Sequence, residues 1–518
     1  MQSVPFLSLA IWVPILFGVV VLRVGSDRHP QRARWLALIG AIVGLLLTVP
    51  LIVGFDTSDA AMQFVEYRNW IPQFGVAMHL GVDGISMWLV VLTAFTTLII
   101  VVASWKSITV RVAQYFGAFL ILSGLMVGTF AAVDGMLFFV FFEATLIPMY
   151  LLIGTWGHAR RSYAAVKFFF FSFAGSLLML VAMLYLYSQS NTFDMTVWHS
   201  VPLAFIPQLF VFAGFFAAFA VKVPMVPVHT WLPDVHLEAP TGATVLLAML
   251  KLGGYGFMRF ALPITPDAAH FFSPIIITLS LIAVIYGSLL AIAQTDMVKM
   301  LAYSTVAHMG LVTLGLFIFN QIGTEGALVQ MISYGFVSGA MLLAVGMLFE
   351  RTHTRAIADY GGVVNTMPRF AAFVMLFAMA NVGLPGTSGF VGEFMVILGA
   401  IRMNFWIGAL ATTTVVLSAG YTLWMYKRTI YGAVANKTVA KLKDISVRES
   451  VVFIMLAAFV LGMGVYPKPF TDVMDASAAN LLSQTTRSKD RSYVRTPAVA
   501  DGTDGTDAGA QAQQHSPT

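Results

Sequence analysis

Residues 215–227 read FFAAFAVKVPMVP, an almost wholly apolar run that carries one charged residue, Lys222, next to two prolines. Residues 383–395 read GLPGTSGFVGEFM, a second apolar run that is interrupted by glycines and a proline and carries Glu393. Irregular backbone at membrane depth is tolerated only where it is buried in protein or lines a water-filled cavity. A charged residue beside each break therefore predicts discontinuous membrane helices around a polar pathway.

The composition of the whole chain is that of a polytopic membrane protein. Of the 518 residues, 58% are hydrophobic and only 10% are charged, whereas a soluble domain carries about 25% charged residues. The chain has no cysteine, which excludes disulfides and protein-ligated iron–sulfur clusters. Its net charge of +5 is modest and its basic residues fall in short loops, so nucleic acid is not expected as a partner.

The chain offers about fourteen apolar runs of the ~20 residues that a membrane-spanning helix needs. Basic residues gather in alternate loops, beginning with Arg23, Arg28, Arg32 and Arg34 after the first run. Because short cytoplasmic loops are enriched in Lys and Arg, this pattern predicts that those loops are cytoplasmic and that both termini are periplasmic.

The two broken spans occupy corresponding places in the chain. The fourth to eighth runs and the ninth to thirteenth runs form two sets of five, and the broken span is the fourth member of each set. Paired interruptions of this kind indicate an inverted-repeat transporter. We therefore predict an all-α polytopic membrane protein of about fourteen helices, with two inverted five-helix repeats that contain discontinuous helices.

This division gives five parts, namely the first three helices with a long loop, two repeats, a last membrane helix and a tail. Their expected boundaries are 1–111, 112–262, 263–430, 431–483 and 484–518. The long loop is expected to hold a short interfacial helix near 65–74. From about Gln484 the composition turns to Ser, Thr, Gly, Asp, Gln and Pro, which predicts a disordered tail.

Four ionisable residues lie inside apolar runs: Glu143, Lys222, Lys251 and Glu393. Each costs ~2.5–3.5 kcal/mol at a helix centre, so a chain keeps such groups only where they face one another, face water or do chemistry. For a single Glu–Lys pair, a static ion pair that fixes helix register is an equally good interpretation. Four groups on separate helices favour a charge pathway. A Glu–Lys pair that opens and closes changes the proton affinity of the lysine, which indicates protons as the cargo.

His308, in YSTVAHMG, is the histidine that lies clearly inside an apolar run. Alone it is more often a packing residue, but beside Lys and Glu a neutral imidazole can pass a proton. No second inward histidine is evident for a haem. A zinc interpretation of His229, Asp234, His236 and Glu238 is weak, because prolines bend that segment at a water interface. The scattered methionines indicate apolar filler rather than a soft-metal path, so no metal or cofactor site is predicted.

Several segments resemble the antiporter-like subunits of respiratory complex I, the NADH–quinone oxidoreductase. They are 141–157 (FFEATLIPMYLLIGTWG), 222–241 (KVPMVPVHTWLPDVHLEAPT), 251–259 (KLGGYGFMR) and 294–310 (QTDMVKMLAYSTVAHMG). The resemblance runs from about residue 80 to residue 466 and implies fourteen helices with two inverted five-helix repeats. It also implies a bacterial inner-membrane location. The expected partners are the lipid bilayer and other membrane-arm subunits, including paralogous antiporter-like ones. No cofactor is expected in this chain, because NADH, FMN, iron–sulfur clusters and quinone would be held by partner subunits.

The resemblance also implies a role for each charged residue. Glu143 would pair with Lys222, Lys251 would be the central relay group, and Glu393 would be the terminal group. Segments 350–355 (ERTHTR) and 383–395, and a glutamate where most members have lysine, favour one particular paralogue. The family often has histidine where this chain has Tyr334. A phenol with a pKa near 10 relays protons less readily, so water could bridge that step instead.

The leading hypothesis is a proton-translocating subunit of an NADH–quinone oxidoreductase, driven by its partner subunits and without a redox centre of its own. One alternative is a subunit of a multisubunit cation/proton antiporter, which shares these motifs. Another alternative is a membrane scaffold whose buried ion pairs are inert. Substitution of Lys251 would separate transport from scaffolding.

Overall fold

The computed structural model describes residues 4–25, 29–249 and 251–490, and most of them are helical. The N-terminal part contains α1 (Phe6–Val24), α2 (Pro30–Leu46), α3 (Val49–Val53), strands β1 (Gln63–Ile71) and β2 (Val76–Val82), and α4 (Met87–Ala103). It is followed by α5 (Val112–Ala131), α6 (Gly135–Ala144), α7 (Leu146–Trp156), α8 (Arg161–Ser190), α9 (Met195–Trp198), α10 (Phe205–Lys222), α11 (Trp231–Glu238), α12 (Thr241–Met249), α13 (Leu252–Gly256) and α14 (Leu262–Ile264). The remaining helices are α15 (Pro266–Ala293), α16 (Met297–Phe317), α17 (Gln321–Thr352), α18 (Val363–Thr366), α19 (Pro368–Val382), α20 (Ser388–Met403), α21 (Phe405–Thr429), α22 (Lys437–Ala440), α23 (Val447–Val465) and α24 (Lys468–Thr486).

Within the described residues, twelve helical segments are long and apolar enough to cross a membrane. Met87–Ala103 and Pro368–Val382 are apolar but shorter. The most apolar stretches of α16 and α17 are 94% buried, whereas those of α1 and α21 are 33% buried. Helices α16 and α17 therefore form the centre of the bundle, and helices α1 and α21 lie at its surface. The predicted all-α polytopic fold is confirmed, while the count of fourteen and the division into two repeats stay predictions.

The short interfacial helix expected near 65–74 is wrong, because this segment belongs to a β-hairpin. Strands β1 and β2 pair antiparallel, and Gly75 turns the chain with φ +61°. Aromatic and β-branched residues in the first strand favour extended structure, and a left-handed turn residue favours glycine. Glu66 in this hairpin accepts hydrogen bonds from the backbone N–H groups of Leu7 and Ser8, at 2.8 and 3.1 Å. Since these N–H groups lack partners within α1, the hairpin is fastened to the start of the chain.

Both helix breaks expected from the sequence are present. Helix α10 ends at Lys222, and 223–230 form no regular helix before α11 begins. Prolines in that connection lack the N–H that a continuing helix would need. Helices α19 and α20 are separated by a loop in which Gly383 has φ +82°. A third break, which the sequence analysis did not predict, separates α12 from α13 at Lys251.

The tail begins later than expected. Helix α24 continues to Thr486, and Lys489 is held by the body of the protein, so disorder from 484 is wrong for 484–490. Lys489 Nζ donates hydrogen bonds to the carbonyls of Trp198 and Ile264, at 2.8 and 2.9 Å. Its backbone N–H donates to Asp267 Oδ2 at 3.0 Å. The rest of the predicted tail, 491–518, lies outside the described residues.

Candidate functional site

Glu143 and Lys222 lie in the first half of the molecule, on α6 and at the C-terminal end of α10. Lys222 Nζ faces two aromatic rings, 5.0 Å from the centroid of Phe142 and 5.2 Å from that of Phe168. Such cation–π contacts partly replace lost hydration. Glu143 Oε1 is buried without a hydrogen-bond partner, and no direct ion pair joins Glu143 to Lys222 in the described part of the chain. The pair implied by the resemblance is therefore open in this structure.

Lys251 stands at the break between α12 and α13 and is 6% exposed. Its Nζ donates a hydrogen bond to the carbonyl of Ala248 and lies 5.2 Å from the ring centroid of Tyr334. A cavity of about 50 Å³ is lined by both Lys222 and Lys251. Because this volume is enough for a few water molecules, the two lysines are joined by space that water can enter rather than by contact.

His308 and Glu393 meet directly in the second half of the molecule. His308 Nδ1 lies 2.9 Å from Glu393 Oε1, and the two side chains are 0% and 3% exposed. The amide nitrogen of Gln330 lies 3.3 Å from the same carboxylate oxygen. The other ring nitrogen of His308, Nε2, is 3.3 Å from the hydroxyl of Tyr421. Helices α16, α17, α20 and α21 thus each place one of these polar side chains at a single buried point.

Tyr334 connects this point toward Lys251. Its ring stacks on the His308 ring with centroids 4.3 Å apart, and its hydroxyl lies 3.0 Å from Ser304 Oγ. Ser304 Oγ lies in turn 2.8 Å from the hydroxyl of Tyr421. Sequence reasoning missed Ser304, Tyr421 and Gln330, because neutral polar residues are common on helices. One signal was present: Ser304 precedes His308 by four residues and Gln330 precedes Tyr334 by four, which places each pair on one helix face.

The residues of the HTWLPDVHLEAPT segment point in different directions. Asp234 Oδ2 accepts a hydrogen bond from Lys167 Nζ at 2.6 Å, and Glu238 Oε2 accepts one from the Arg160 backbone at 2.7 Å. His236 is 1% exposed, and neither of its ring nitrogens has a hydrogen-bond partner. In the part of the chain that the structure describes, no group of three or more His, Asp or Glu residues could hold a metal ion.

A further buried ion pair joins Asp83 to Arg259. Arg259 Nη1 donates to Asp83 Oδ2 at 2.9 Å, and the two side chains are 6% and 4% exposed. Arg259 Nε also lies 3.3 Å from the hydroxyl of Tyr255, which donates to the carbonyl of Phe130 at 2.9 Å. Because every charged group here has a partner, this pair has the features of a structural clamp between the loop that joins β2 to α4 and the π-helical turn Phe257–Ala261.

Comparison with known proteins identifies the family. Residues 132–418 match the model of a membrane family described as NADH:quinone oxidoreductase/Mrp antiporter, transmembrane region. The chain belongs to this family. The chain is 47% identical over 494 residues to NADH-quinone oxidoreductase subunit M of Rhodobacter capsulatus, and the match covers 92% of this chain and 96% of that relative. It is 43% identical over 479 residues to NADH-ubiquinone oxidoreductase chain 4 of Arabidopsis thaliana, covering 92% and 97%.

Two solved structures, one of a respiratory complex I and one of an Mrp complex, contain chains with the same fold. A chain of respiratory complex I from Thermus thermophilus with bound NADH superposes with a TM-score of 0.84 at 33% identity, covering 92% of this chain and 99% of that chain. A chain of the Mrp complex from Dietzia sp. superposes with a TM-score of 0.77 at 20% identity, covering 91% of this chain and 52% of that chain. The second likeness shows the fold alone. The expected resemblance to antiporter-like complex I subunits, and to the M paralogue in particular, is confirmed.

Proposed function

We propose that this chain is the proton-translocating M subunit of an NADH–quinone oxidoreductase, in which protons cross through a buried Glu/Lys/His relay. The observation that carries the proposal is the fully buried contact between His308 and Glu393, at 2.9 Å. A basic ring nitrogen and a carboxylate in a region without bulk water are suited to receive and hold a proton. Relatives named as subunit M support the assignment over most of the chain length.

The proposed path begins at Glu143 and Lys222 and continues through the shared cavity to Lys251. A lysine can both bind and release a proton, whereas an arginine stays charged in proteins. The open arrangement of Glu143 and Lys222 supports a switch, because closing the pair would hold a proton on the lysine and opening it would release the proton into the cavity. His308 and Glu393 then receive the proton.

The energy that drives proton transfer would come from partner subunits, outside this chain. NADH, FMN, iron–sulfur clusters and quinone would be bound by partner subunits, and quinone reduction there would drive the relay. The partners would be the other membrane-arm subunits, including paralogous antiporter-like ones, together with the lipid bilayer. Exposed apolar side chains such as Phe210, Trp406 and Val416, at 76%, 74% and 71% exposure, support contact with lipid or membrane subunits.

The location that fits this function is the bacterial inner membrane. The alternate loops rich in Arg and Lys support an orientation with both termini in the periplasm. We do not propose the cation/proton antiporter alternative, since the likeness to the Mrp chain at 20% identity speaks only to the fold and the more similar relatives are named as oxidoreductase subunits.

Substitution of Lys251 in the complete complex tests the proposal. Lys251→Ala should abolish NADH-driven proton uptake into membrane vesicles while the complex still assembles, because the path then lacks its middle proton carrier. Lys251→Arg should restore little, since guanidinium does not release its proton. Lys299→Ala on α16, a half-buried lysine outside the path, is the matched control. Full proton uptake by Lys251→Ala would leave only a scaffold function.

A further inference from the structure

We infer that Tyr334, Ser304 and Tyr421 form a wire of hydroxyl groups that carries protons from the Lys251 end of the relay to His308. This inference rests on the proposed function, since it assigns residues to one step of the same path. The three side chains come from α17, α16 and α21 and are 2%, 0% and 0% exposed. The three hydroxyl groups are therefore separated from bulk water. If bulk water reached them, it could carry protons in their place.

Four consecutive contacts connect these groups. The Tyr334 hydroxyl lies 3.0 Å from Ser304 Oγ, which lies 2.8 Å from the Tyr421 hydroxyl. The Tyr421 hydroxyl lies 3.3 Å from His308 Nε2, and His308 Nδ1 lies 2.9 Å from Glu393 Oε1. The chain of contacts thus runs without a gap from α17 to the terminal carboxylate.

The chemistry of its two ends fixes the direction in which the hydrogen bonds point. An ionised carboxylate only accepts, so the imidazole donates from Nδ1 to Glu393 and, when neutral, accepts at Nε2. The hydroxyl of Tyr421 therefore donates to His308. Ser304 then donates to Tyr421, and Tyr334 donates to Ser304. All donors point toward Glu393, and aligned hydrogen bonds of this kind strengthen one another.

A proton can cross this wire without leaving any hydroxyl charged. As the Tyr334 oxygen gains a proton, its own O–H proton moves to Ser304, and the Ser304 proton moves to Tyr421. The Tyr421 proton bonds to His308 Nε2 while the Nδ1–H bond breaks and that proton bonds to Glu393. The net change is the loss of one proton from Lys251 and the gain of one proton by Glu393, with the imidazole changed from one neutral tautomer to the other. Because no phenolate forms, the high pKa of a phenol is no obstacle.

The Lys251 end of the wire meets the cavity of about 50 Å³ described above. Thr305 lines this cavity, and its Oγ1 lies 3.4 Å from the Tyr334 hydroxyl. A water molecule in the cavity would accept a proton from Lys251 Nζ and donate one to Thr305 Oγ1, whose own proton would pass to the Tyr334 hydroxyl.

Removal of single hydroxyl groups in the complete complex tests the inference. Tyr421→Phe and Tyr334→Phe each keep the ring and break the wire on a different helix, so the loss of one variant to misassembly leaves the other decisive. Proton uptake per assembled complex should fall at least about tenfold in each, since positioned proton-transfer groups contribute roughly 10²–10⁴-fold to rates. Tyr426→Phe is the matched control, because it also removes a buried hydroxyl of α21, one that donates to the carbonyl of Ala371 at 3.0 Å.

Tyr334→His separates proton transfer from packing. Imidazole carries protons but differs in shape from the phenol, so His should pump better than Phe if the wire transfers protons, and worse if Tyr334 only fills space. Normal proton uptake in both Phe variants, or an equal loss in Tyr426→Phe, would overturn the wire. Comparison with Lys251→Ala distinguishes failure of the wire from failure of the proposed function. If Lys251→Ala fails to pump while both Phe variants pump normally, only the wire is wrong. If Lys251→Ala pumps normally, the proposed function itself fails.

Discussion

The two halves of the buried polar path are built in different ways. In the first half, Glu143, Lys222 and Lys251 make no direct contact with one another, and a cavity of about 50 Å³ lies between the two lysines. In the second half, His308 and Glu393 touch at 2.9 Å and neutral hydroxyls extend their contacts. A proton can cross the first half only if water or a side chain moves, whereas the second half offers fixed partners. If the path carries protons as proposed, we expect the moving groups in the first half and the fixed proton partners in the second half.

The largest effect is expected from removing the terminal acceptor of the fixed half. Glu393→Gln keeps the shape of the side chain but cannot take a proton from His308, so proton uptake per assembled complex should fall by about 100-fold or more. The measurement is NADH-driven proton uptake by membrane vesicles, normalised to the amount of complex.

Glu449→Gln is the control for that variant. Glu449 is a carboxylate that is 5% exposed and accepts from Arg351 at 2.9 Å, but it lies outside the path. Because this variant leaves the partly buried Arg351 without its carboxylate partner, it should lower the amount of assembled complex and leave proton uptake per complex unchanged. A Glu393→Gln complex that pumps like the control would remove Glu393 from the path.

The next effect concerns the moving half. Glu143→Gln should strongly reduce proton uptake, and Glu143→Asp should retain part of it, because only Asp keeps a charge that can approach Lys222. The double variant Glu143→Gln with Lys222→Met removes both charges and so leaves none stranded. If the pair is a switch, the double variant assembles but pumps poorly. Normal pumping by the double variant would mean that the pair is purely structural.

The smallest effect concerns how firmly the segment that follows α24 docks on the body of the protein, and it depends on pH. Burial lowers the pKa of Lys489 to about 7, against the opposing influence of Asp267. The docked segment therefore binds fewer protons than the released one between about pH 7 and the reference value near 10.4. Docking should strengthen as pH rises through this range, by at most about 1.4 kcal/mol per unit, and this contribution should be lost as pH falls to 7.

Limited proteolysis of the purified complex measures this docking. The rate of cleavage beyond α24, divided by the rate for Lys489→Met at the same pH, should fall between pH 7 and pH 9, since the ratio cancels the protease's own pH dependence. Lys468→Met, an exposed lysine at the start of α24, is the control. A ratio that stays constant with pH would mean that Lys489 does not titrate on docking.

The membrane-spanning architecture could be predicted from the sequence, because long apolar runs with few charged residues indicate membrane helices. Lys222 and Glu393 mark the two helix breaks because a charge and a helix-breaking residue both need a polar cavity at membrane depth. The β-hairpin was missed because the first strand is largely exposed, and its apolar residues Tyr67, Trp70 and Ile71 have the i, i+3, i+4 spacing that also indicates an amphipathic helix.

The second half of the site was the least predictable. Contacts among Ser304, Tyr334 and Tyr421 join residues 30 and 117 positions apart on three helices. A neutral hydroxyl costs much less to bury than a charge, so it does not stand out in an apolar run. The Glu143–Lys222 pair, which stays a prediction, presents the opposite difficulty. Both residues stand out in the sequence, but whether a buried pair is closed depends on the conformation and cannot be read from residue types.

The hydrogen bonds of Lys489 have a consequence for how the protein is made. Its side chain binds carbonyls at Trp198 and Ile264, and its backbone binds Asp267. These partners are synthesised more than 200 residues earlier, as the separations of 291, 225 and 222 residues show. If the helices enter the membrane one after another, these groups stay without these partners until residue 489 has been synthesised. A chain that terminates before residue 489 would lack these hydrogen bonds between residues distant in sequence.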